Sequence, residues 1–217
     1  MTAAEDRFER DYFETAYGDY RAQNPPRKMR FYRGLAERAA KGIERPRILE
    51  LGCAFGTFLA SLGSGWARFG IDVSRFAVEE ARRRVPEADF AVAPAGQVPF
   101  DGPFDVVAAF DVLEHVADLD GALETVMARL APGGALVFVV PVYDGPTGPL
   151  IRALDKDETH VHKEARRFWL KRIGRELRVE EYWGVFRYLL PGRVYAHWPT
   201  RALRAWAPAI AVVARTS

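Results

Sequence analysis

The sequence predicts an α/β domain, in which a mostly parallel sheet carries helices on both faces. Short apolar runs alternate with amphipathic segments along most of the chain, and this alternation is typical of parallel strands joined by crossover helices. The chain has 217 residues, of which 49% are apolar, so it is long enough for one large core and too short for two. The first apolar run covers residues 47–51, and a glycine-rich turn and a helical segment follow it.

Seven apolar or alternating runs are predicted as strands. Helical segments follow the first, second and fourth of these strands, and this alternation indicates that the first five strands lie parallel to one another. The last two follow a loop at residues 143–160 that is rich in Gly, Pro and Asp. Loops of this length in a compact domain are usually functional or mobile. The predicted strands cover residues 47–51, 67–71, 89–92, 104–110, 135–140, 177–188 and 209–214.

The predicted helices begin at recognisable start signals. Pro25 and Pro26 favour the start of a helix, because proline fits the first helical turn. Ser74 and Asp118 are expected N-cap residues, whose side chains accept a hydrogen bond from an amide of the first turn. Thr159 is expected to cap a later helix. The predicted helices include residues 28–41, 56–62, 118–130 and 163–175.

The first 44 residues are predicted to form a helical lid over the domain made by residues 45–217. Four aromatic side chains precede the two prolines, and an aromatic cover would exclude water from a ligand cleft. The alternative is a helix packed on the edge of the sheet. These aromatic residues are Tyr12, Phe13, Tyr17 and Tyr20.

The composition excludes several classes of protein. The net charge is only +2, and the basic residues recur at helical spacing, so no nucleic-acid partner is expected. The single cysteine excludes an intramolecular disulfide and fits a reducing compartment. The amino terminus does not resemble a signal peptide, and no stretch approaches the ~18 apolar residues of a membrane span. We therefore expect a cytoplasmic protein, and its oligomeric state is left open.

The turn after the first strand predicts a nucleoside site. Its pattern is Glu50-x-Gly52-x-Ala54-x-Gly56, and glycine allows a backbone to turn sharply or to approach a ligand closely. Asp72 ends the second strand, where an acid holds the hydroxyls of a ribose. A dinucleotide site would need G-x-G-x-x-G around its phosphates, and no Lys or Arg lies between residues 50 and 65. A carboxylate here instead suits a ligand that carries an ammonium and a sulfonium.

Three ordered motifs resemble those of the class I S-adenosylmethionine-dependent methyltransferases. The turn corresponds to E/D-x-G-x-G-x-G, although Ala54 stands where glycine is usual. Residues 104–115 correspond to F-D-x-V-x-x-x-x-V-L-E-H, and residues 130–136 correspond to L-x-P-G-G-x-L. The resemblance runs from residue 47 to residue 141. It implies a Rossmann-like, seven-stranded and mostly parallel sheet, whose last two strands form an antiparallel hairpin at the edge.

The resemblance also implies a site for S-adenosylmethionine at the carboxyl ends of the strands, where open α/β sheets bind ligands. Glu50 would face the amino-acid end of the cofactor, Asp72 the ribose and Val73 one face of adenine. Pro94 replaces the acid that the family often has after the third strand, so backbone groups would contact adenine, with Gln97 as an alternative. The predicted cofactor-binding residues are Glu50, Gly52, Cys53, Ala54, Gly56, Asp72, Val73, Ala95, Gly96, Phe110 and Asp111.

His115 and His160 are the candidate catalytic residues. The resemblance places His115 near the methyl donor, one turn past Asp111, whose carboxylate could orient its ring. This histidine would either accept a proton from the acceptor or only order the loop. Glu114 is expected to point elsewhere. His160 and His162 could share a face and bind a metal, but no third ligand is evident, so no metal is expected.

These observations predict methyl transfer from S-adenosylmethionine to an oxygen or nitrogen of a small molecule, such as a natural product, a sugar or a quinone-like compound. The N-P-P-Y motif of several nucleic-acid and protein N-methyltransferases is missing after the fourth strand. Two other classes stay open: a catalytically silent binding protein, and a nicotinamide-dependent oxidoreductase, which the glycine spacing disfavours. Four tryptophans are expected to line an acceptor pocket or to join the core, namely Trp169, Trp183, Trp198 and Trp206.

Overall fold

The computed structural model describes residues 20–155, 157–190 and 194–216. These residues form one sheet of eight strands. Five strands precede the long polar loop and three follow it. The strands are β1 (Arg47–Leu51), β2 (Ala67–Asp72), β3 (Asp89–Val92), β4 (Phe104–Phe110), β5 (Leu130–Pro141), β6 (Arg178–Leu190), β7 (Val194–Thr200) and β8 (Ala209–Arg215).

The strand order is β3-β2-β1-β4-β5-β8-β6-β7. The strands β1 to β5 pair in parallel, whereas β8, β6 and β7 pair antiparallel with their neighbours. From β1, the next two strands, β2 and β3, lie successively further out on one side. Strand β4 then lies on the other side of β1. Leu49 of β1 therefore lies between Phe69 of β2 and Val107 of β4. Such a reversal leaves a crevice at the carboxyl ends of the strands.

The predicted fold class is confirmed, but the number of strands is eight rather than seven. The additional strand, β7, pairs with β6 from Gly184 opposite Thr200 to Leu190 opposite Val194. This segment was not predicted as a strand, because it carries Pro199 and lacks an alternation of apolar and polar residues. Proline is tolerated there because β7 is the edge strand.

The helices begin largely where the start signals predict. Pro26 is the first residue of its helix, Ser74 Oγ accepts from the amide of Ala77 at 3.1 Å, and Asp118 Oδ1 accepts from the amide of Gly121 at 3.0 Å. The helices are α1 (Tyr20–Gln23), α2 (Pro26–Ala39), α3 (Thr57–Leu62), α4 (Arg75–Arg84), α5 (Leu119–Arg129), α6 (Gly148–Leu154) and α7 (Arg166–Ile173), with a 3-10 helix at Leu113–His115.

The long polar loop contains helix α6, which was not predicted. None of the helices in the described ranges is long and apolar enough to cross a membrane.

Two apolar cores cover the two faces of the sheet. Val106 and Ala108 belong to one core, and Val107 and Ala109 belong to the other, because successive side chains of a strand point to opposite faces. Helices α2, α3 and α4 contribute to the first core, and α5 and α7 contribute to the second. Each large apolar side chain that is fully buried stabilises the fold by about 1.5–3 kcal/mol.

Helix α2 is a core helix. Tyr32, Leu35 and Ala36 are almost completely buried and pack in the first core. Tyr12, Phe13 and Tyr17 lie outside the described residues, and the division into a lid of residues 1–44 and a domain of residues 45–217 stays a prediction.

Strand β7 places His197 beneath α2. The ring centroid of His197 lies 5.5 Å from that of Phe31 and 5.8 Å from that of Tyr32. The side chain is 2% exposed, and neither ring nitrogen has a hydrogen-bond partner within the described part of the chain. Burial, reinforced by the charges of Lys28 and Arg187, lowers the pKa of His197 to about 4.

We predict that His197 makes the domain less stable as the pH falls from about 6.5 to 4. An unfolded histidine binds its proton near pH ~6.5, whereas folded His197 does so only near its pKa of about 4. Between these values the unfolded chain binds more protons, so stability is lost on acidification, by about 3 kcal/mol. The free energy of unfolding should be measured by denaturant unfolding at pH ~6.5 and at pH ~4. The loss of this free energy between the two pH values should be smaller by about 3 kcal/mol in His197→Phe than in the wild type. An identical pH dependence in this variant would contradict the prediction.

Candidate active site

A cavity of about 700 Å³ opens at the carboxyl ends of β1, β2 and β4. Almost all of the site residues predicted from the sequence line it, although they come from five separate segments of the chain. The predicted residues at its wall are Glu50, Gly52, Cys53, Ala54, Asp72, Val73, Ala95, Gly96, Phe110, Asp111, His115 and His160. The turn after β1, the end of β2 and the loop after β3 form one end of the cavity, and the residues after β4 form the other.

Gly52 and Gly56 lie in different surroundings, and the part of Gly56 in cofactor binding stays a prediction. Gly52 has a φ of +65°, and a Cβ atom there would lie 2.3 Å from Val112 Cγ2. Gly56 has a φ of +70° and precedes α3, where a Cβ atom would meet Phe90 at 3.1 Å and Val85 at 3.2 Å. Gly56 therefore faces the core and does not line the cavity, whereas Gly52 lies at the cavity wall.

Asp72 links the turn after β1 to the loop after β2. We call this end of the cavity, which contains Glu50 and Asp72, the acidic end. The Oδ2 atom of Asp72 accepts a hydrogen bond from the amide of Ala54 at 2.8 Å, and its Oδ1 atom accepts one from the amide of Ser74 at 2.9 Å. The side chain is 8% exposed. These bonds hold the turn after β1 against the start of α4, so the position of Asp72 determines the shape of this end.

Glu50 adds a buried carboxylate to the same end. It is 5% exposed, and its Oε2 atom has no hydrogen-bond partner among the residues that the structure describes. Burial, followed by the charge of Asp72, raises the pKa of Glu50 well above its usual value. A buried acceptor without a donor is unfavourable, so this oxygen is suited to a ligand that donates hydrogen bonds, such as an ammonium group. Burial likewise raises the pKa of the Cys53 thiol, which disfavours the reactive thiolate.

The loop after β3 forms a turn beside this end. The amide of Gln97 donates to the carbonyl of Pro94 at 2.9 Å, and Thr125 Oγ1 donates to the carbonyl of Gly96 at 3.0 Å. Pro94, Ala95, Gly96 and Gln97 all line the cavity. Their role in contacting adenine stays a prediction.

A charged group at the other end was not predicted. Lys28 of α2 and Arg187 of β6 both pair with Asp111, which follows β4 with a φ of +60°. Lys28 Nζ lies 3.9 Å from Asp111 Oδ2. Although burial opposes it, the charges of Arg187 and Lys28 lower the pKa of Asp111. Burial lowers the pKa of Lys28 to about 8. One signal was present in the sequence: Lys28 lies on the apolar face of α2, one turn before Tyr32.

The predicted pairing of Asp111 with His115 is wrong. His115 lies in the 3-10 helix, and its Nδ1 atom is 2.9 Å from Thr159 Oγ1. Thr159 therefore contacts His115 and Asp157 rather than capping a helix, and α7 begins only at Arg166. Burial, followed by the charge of His160, lowers the pKa of His115.

The H-x-H pair separates in the structure. His160 turns into the cavity, and its Nδ1 atom lies 2.8 Å from Asp155 Oδ2. His162 turns away, since its Nε2 atom lies 2.8 Å from the carbonyl oxygen of Val116 and its ring packs near Trp169. The two histidines cannot bind one ion together.

Glu114 lines the cavity, so the expectation that it points elsewhere is wrong. The side chain is completely buried, and neither carboxylate oxygen has a hydrogen-bond partner among the described residues. Burial, followed by the charge of Asp111, raises the pKa of Glu114. Ligand atoms of Glu114, His115 and His160 lie within 4.8 Å of one another. The expectation that no third ligand lies near His160 is therefore also wrong.

None of the four tryptophans lines this cavity. Trp169 is fully buried in the second core, and Trp183 packs against Phe31 with ring centroids 5.8 Å apart. Trp198 and Trp206 are each 53% exposed. The aromatic wall of the cavity comes instead from Tyr20, Tyr32, Phe58, Phe110 and Tyr195.

Comparison with known proteins identifies the family. A family model described as a methyltransferase domain matches residues 20–209. The chain belongs to this family. Its sheet order, the acid at the end of β2 and the glycine turn after β1 are those of class I S-adenosylmethionine-dependent methyltransferases.

Two curated relatives share part of the methyltransferase sequence. A ubiquinone biosynthesis O-methyltransferase from Chelativorans sp. (strain BNC1) is 36% identical over 117 residues, which cover 50% of this chain and 45% of the relative. A trans-aconitate 2-methyltransferase from Variovorax paradoxus (strain S110) is 32% identical over 116 residues, which cover 51% of this chain and 45% of the relative. The aligned region is thus less than half the length of each relative.

A solved structure shares the methyltransferase fold over most of its length. The N-methyltransferase NodS from Bradyrhizobium japonicum, in complex with S-adenosyl-L-homocysteine, matches with a TM-score of 0.63. The match covers 91% of each chain at 18% sequence identity, which is a likeness of fold.

We predict that Asp72→Ala weakens binding of S-adenosylhomocysteine by about 2–3 kcal/mol, because the ribose hydroxyls lose a charged acceptor and the two loops lose their link. Calorimetric titration measures the effect. Asp105→Ala is the matched control, since Asp105 also accepts a backbone amide, that of Arg47 at 2.8 Å, but outside the cavity. Unchanged affinity in Asp72→Ala would remove Asp72 from the cofactor site.

We predict that Asp111→Asn lowers the free energy of unfolding by about 2–4 kcal/mol, because buried Lys28 and largely buried Arg187 then lack a counter-charge. Asp120→Asn is the control. Asp120 pairs with Arg172 but its side chain is 73% exposed, so its loss should cost less than about 1 kcal/mol. Urea unfolding of the three proteins gives both values, and equal small losses would show that Asp111 is not required to offset the two cations.

Proposed function

We propose that this chain transfers a methyl group from S-adenosylmethionine to an oxygen or nitrogen of a small molecule. The observation that carries the proposal is a cavity with two chemically different ends. Glu50 and Asp72 form an acidic end, and Lys28, Arg187 and His115 contribute to the other. A volume of about 700 Å³ lies within the range of small-molecule sites, about 300–1,000 Å³.

The acidic end fits the cofactor. The unpaired Oε2 atom of buried Glu50 matches an ammonium donor, and Asp72 lies at the end of β2, where a ribose diol would be held. Gly52 leaves the backbone open on the cavity side. When bound there, S-adenosylmethionine supplies an electrophilic methyl group. The bond between this methyl group and sulfur breaks as the bond to the acceptor forms, and the electron pair of the broken bond stays on sulfur.

The residues of the other end would hold and orient the acceptor. Lys28 and Arg187 both pair with Asp111, so the part of this end around these two cations favours polar or anionic groups of a ligand. Tyr32 stacks on Phe110 with ring centroids 4.1 Å apart, and this pair forms an apolar wall. Enclosure of both ligands would exclude water and hold the reacting atoms in place, which contributes several kcal/mol to catalysis.

The named relatives support a small-molecule acceptor. Ubiquinone biosynthesis O-methyltransferase and trans-aconitate 2-methyltransferase are both named for small substrates. Because the alignment covers less than half of each, the acceptor of this chain is inferred from the cavity and not carried over from either relative.

Binding and transfer of the methyl group test the proposal separately. Calorimetry should show one S-adenosylhomocysteine per chain, and incubation with methyl-labelled S-adenosylmethionine and a metabolite extract should label a small molecule. His115→Gln should lower the labelling rate by about 10²–10⁴-fold, with little change in S-adenosylhomocysteine affinity, because we place His115 at the acceptor. Binding without any labelled product would favour a silent binding protein, and the absence of binding would refute the proposal.

A further inference from the structure

Glu114, His115 and His160 form a cluster at the acceptor end of the cavity. Each offers one ligand atom, these atoms lie within 4.8 Å of one another, and the centroids of the two imidazole rings are 4.7 Å apart. The main chain fixes this arrangement, since the carbonyl oxygen of Glu114 accepts hydrogen bonds from the amides of Val161 at 2.9 Å and His162 at 3.0 Å. His160 is thereby held beside Glu114, although the two residues lie 46 positions apart in the sequence.

The hydrogen bonds of Thr159 determine which nitrogen of His115 carries the proton. Thr159 Oγ1 donates its single proton to the carboxylate of Asp157. Its contact with His115 Nδ1 at 2.9 Å therefore requires the nitrogen to donate. Neutral His115 carries its proton on Nδ1, and its Nε2 atom carries a lone pair.

The same tautomer follows for His160. Its Nδ1 atom lies 2.8 Å from Asp155 Oδ2, and Asp155 also pairs with Lys163 at 3.2 Å and accepts from Tyr143. An ionised carboxylate only accepts, so His160 Nδ1 donates to it. In metal-binding histidines, the ring nitrogen that does not bind the metal typically donates to a carboxylate. This hydrogen bond orients the ring and makes the metal-binding nitrogen more basic.

Glu114 adds a carboxylate that the described part of the chain leaves unpaired. It is 0% exposed, and both of its oxygens lack hydrogen-bond partners there. A buried carboxylate of this kind is strongly unfavourable unless a cation or donors offset it. A bound cation would offset it directly.

We propose that Glu114, His115 and His160 bind one divalent metal ion of the first transition row. Two imidazole nitrogens with one carboxylate suit Zn²⁺ and its neighbours, whereas Mg²⁺ and Ca²⁺ prefer oxygen ligands. Three protein ligands leave a coordination position open toward the cavity, as in catalytic zinc sites. Asp157 adds negative charge beside the same nitrogen, with its Oδ2 atom 3.8 Å from His160 Nε2.

The metal site rests on the proposed methyl transfer for its role, and it narrows the acceptor to a small molecule with a hydroxyl group. A hydroxyl bound at the open position loses its proton to solvent at lower pH, because the cation stabilises the resulting oxyanion. The ion would also fix the position of that oxygen in the cavity. The acceptor atom is then oxygen rather than nitrogen.

Metal binding is measured on the full chain without a histidine tag, after treatment with a chelator and in the absence of S-adenosylmethionine. Co²⁺ binding is followed by its visible absorption, and Zn²⁺ binding by competition with Co²⁺. The variants Glu114→Gln and His160→Gln remove ligands. His162→Gln is the matched control, because His162 bonds to the carbonyl oxygen of Val116 and lies outside the cluster.

We expect one ion per chain in the wild type and in His162→Gln, and at least about 100-fold weaker binding in the two ligand variants, since even partners outside the ligand shell change metal affinity by about 10–100-fold. No binding of Co²⁺ or Zn²⁺ by the wild type, or wild-type affinity in the ligand variants, overturns the proposal. Circular dichroism checks folding. Should Glu114→Gln not fold, His160→Gln decides, because His160 is held at the cavity by the backbone of its segment.

A second measurement keeps this proposal distinct from the proposed function. S-adenosylhomocysteine affinity should be the same with and without metal, whereas methyl transfer should be lost after chelation and restored by Zn²⁺ or Co²⁺. Transfer that is indifferent to metal overturns the role of the ion in holding the acceptor. Failure to bind S-adenosylhomocysteine refutes the methyltransferase function, and the titrations with Co²⁺ still test the metal site.

Discussion

The pairing of β1 with β2 on one side and with β4 on the other decides where the functional side chains of this domain lie. Because the three strands are parallel, Glu50, Asp72 and Asp111 are all brought to the same edge of the sheet. The sharp turn at Gly52 then keeps the backbone clear of the space between them. Every other contribution to the cavity is added around this arrangement, from helices and loops that pack on the two faces of the sheet.

The acids of the cavity differ in what offsets their charge, and this difference divides their roles. Asp111 is paired with two cations, and Asp72 accepts two backbone amides. The charges of Asp111 and Asp72 are therefore largely offset by other groups of the chain. Glu50 and Glu114 retain carboxylate oxygens that no group in the described residues satisfies. Carboxylates buried in this unfavourable way are usually retained at sites where a bound ligand offsets their cost. The two glutamates therefore mark the two ends at which ligands are expected.

Local patterns were sufficient to predict the parallel strands, the capped helices and the acidic end of the cavity. Gly52 and Asp72 could be recognised because they lie within a short stretch whose spacing has a direct backbone meaning. Lys28 and Arg187 could not, because they come from distant segments that only the folded sheet brings to Asp111. The direction of the Glu114 side chain was predicted wrongly for a related reason. The loop that carries His160 surrounds Glu114, and no short-range sequence pattern indicates that contact.

The charged end of the cavity is built by α2 and β6, which lie before and after the stretch of chain that forms the turn at β1 and the end of β2. If the proposed function is right, residues that recognise the donor and several that recognise the acceptor come from different parts of the sequence. Changes at Lys28, Arg187 or Tyr195 can alter what is bound at that end without touching the loops tied by Asp72. Under the proposed function, a domain arranged in this way could acquire new acceptors during evolution while its donor site stays unchanged.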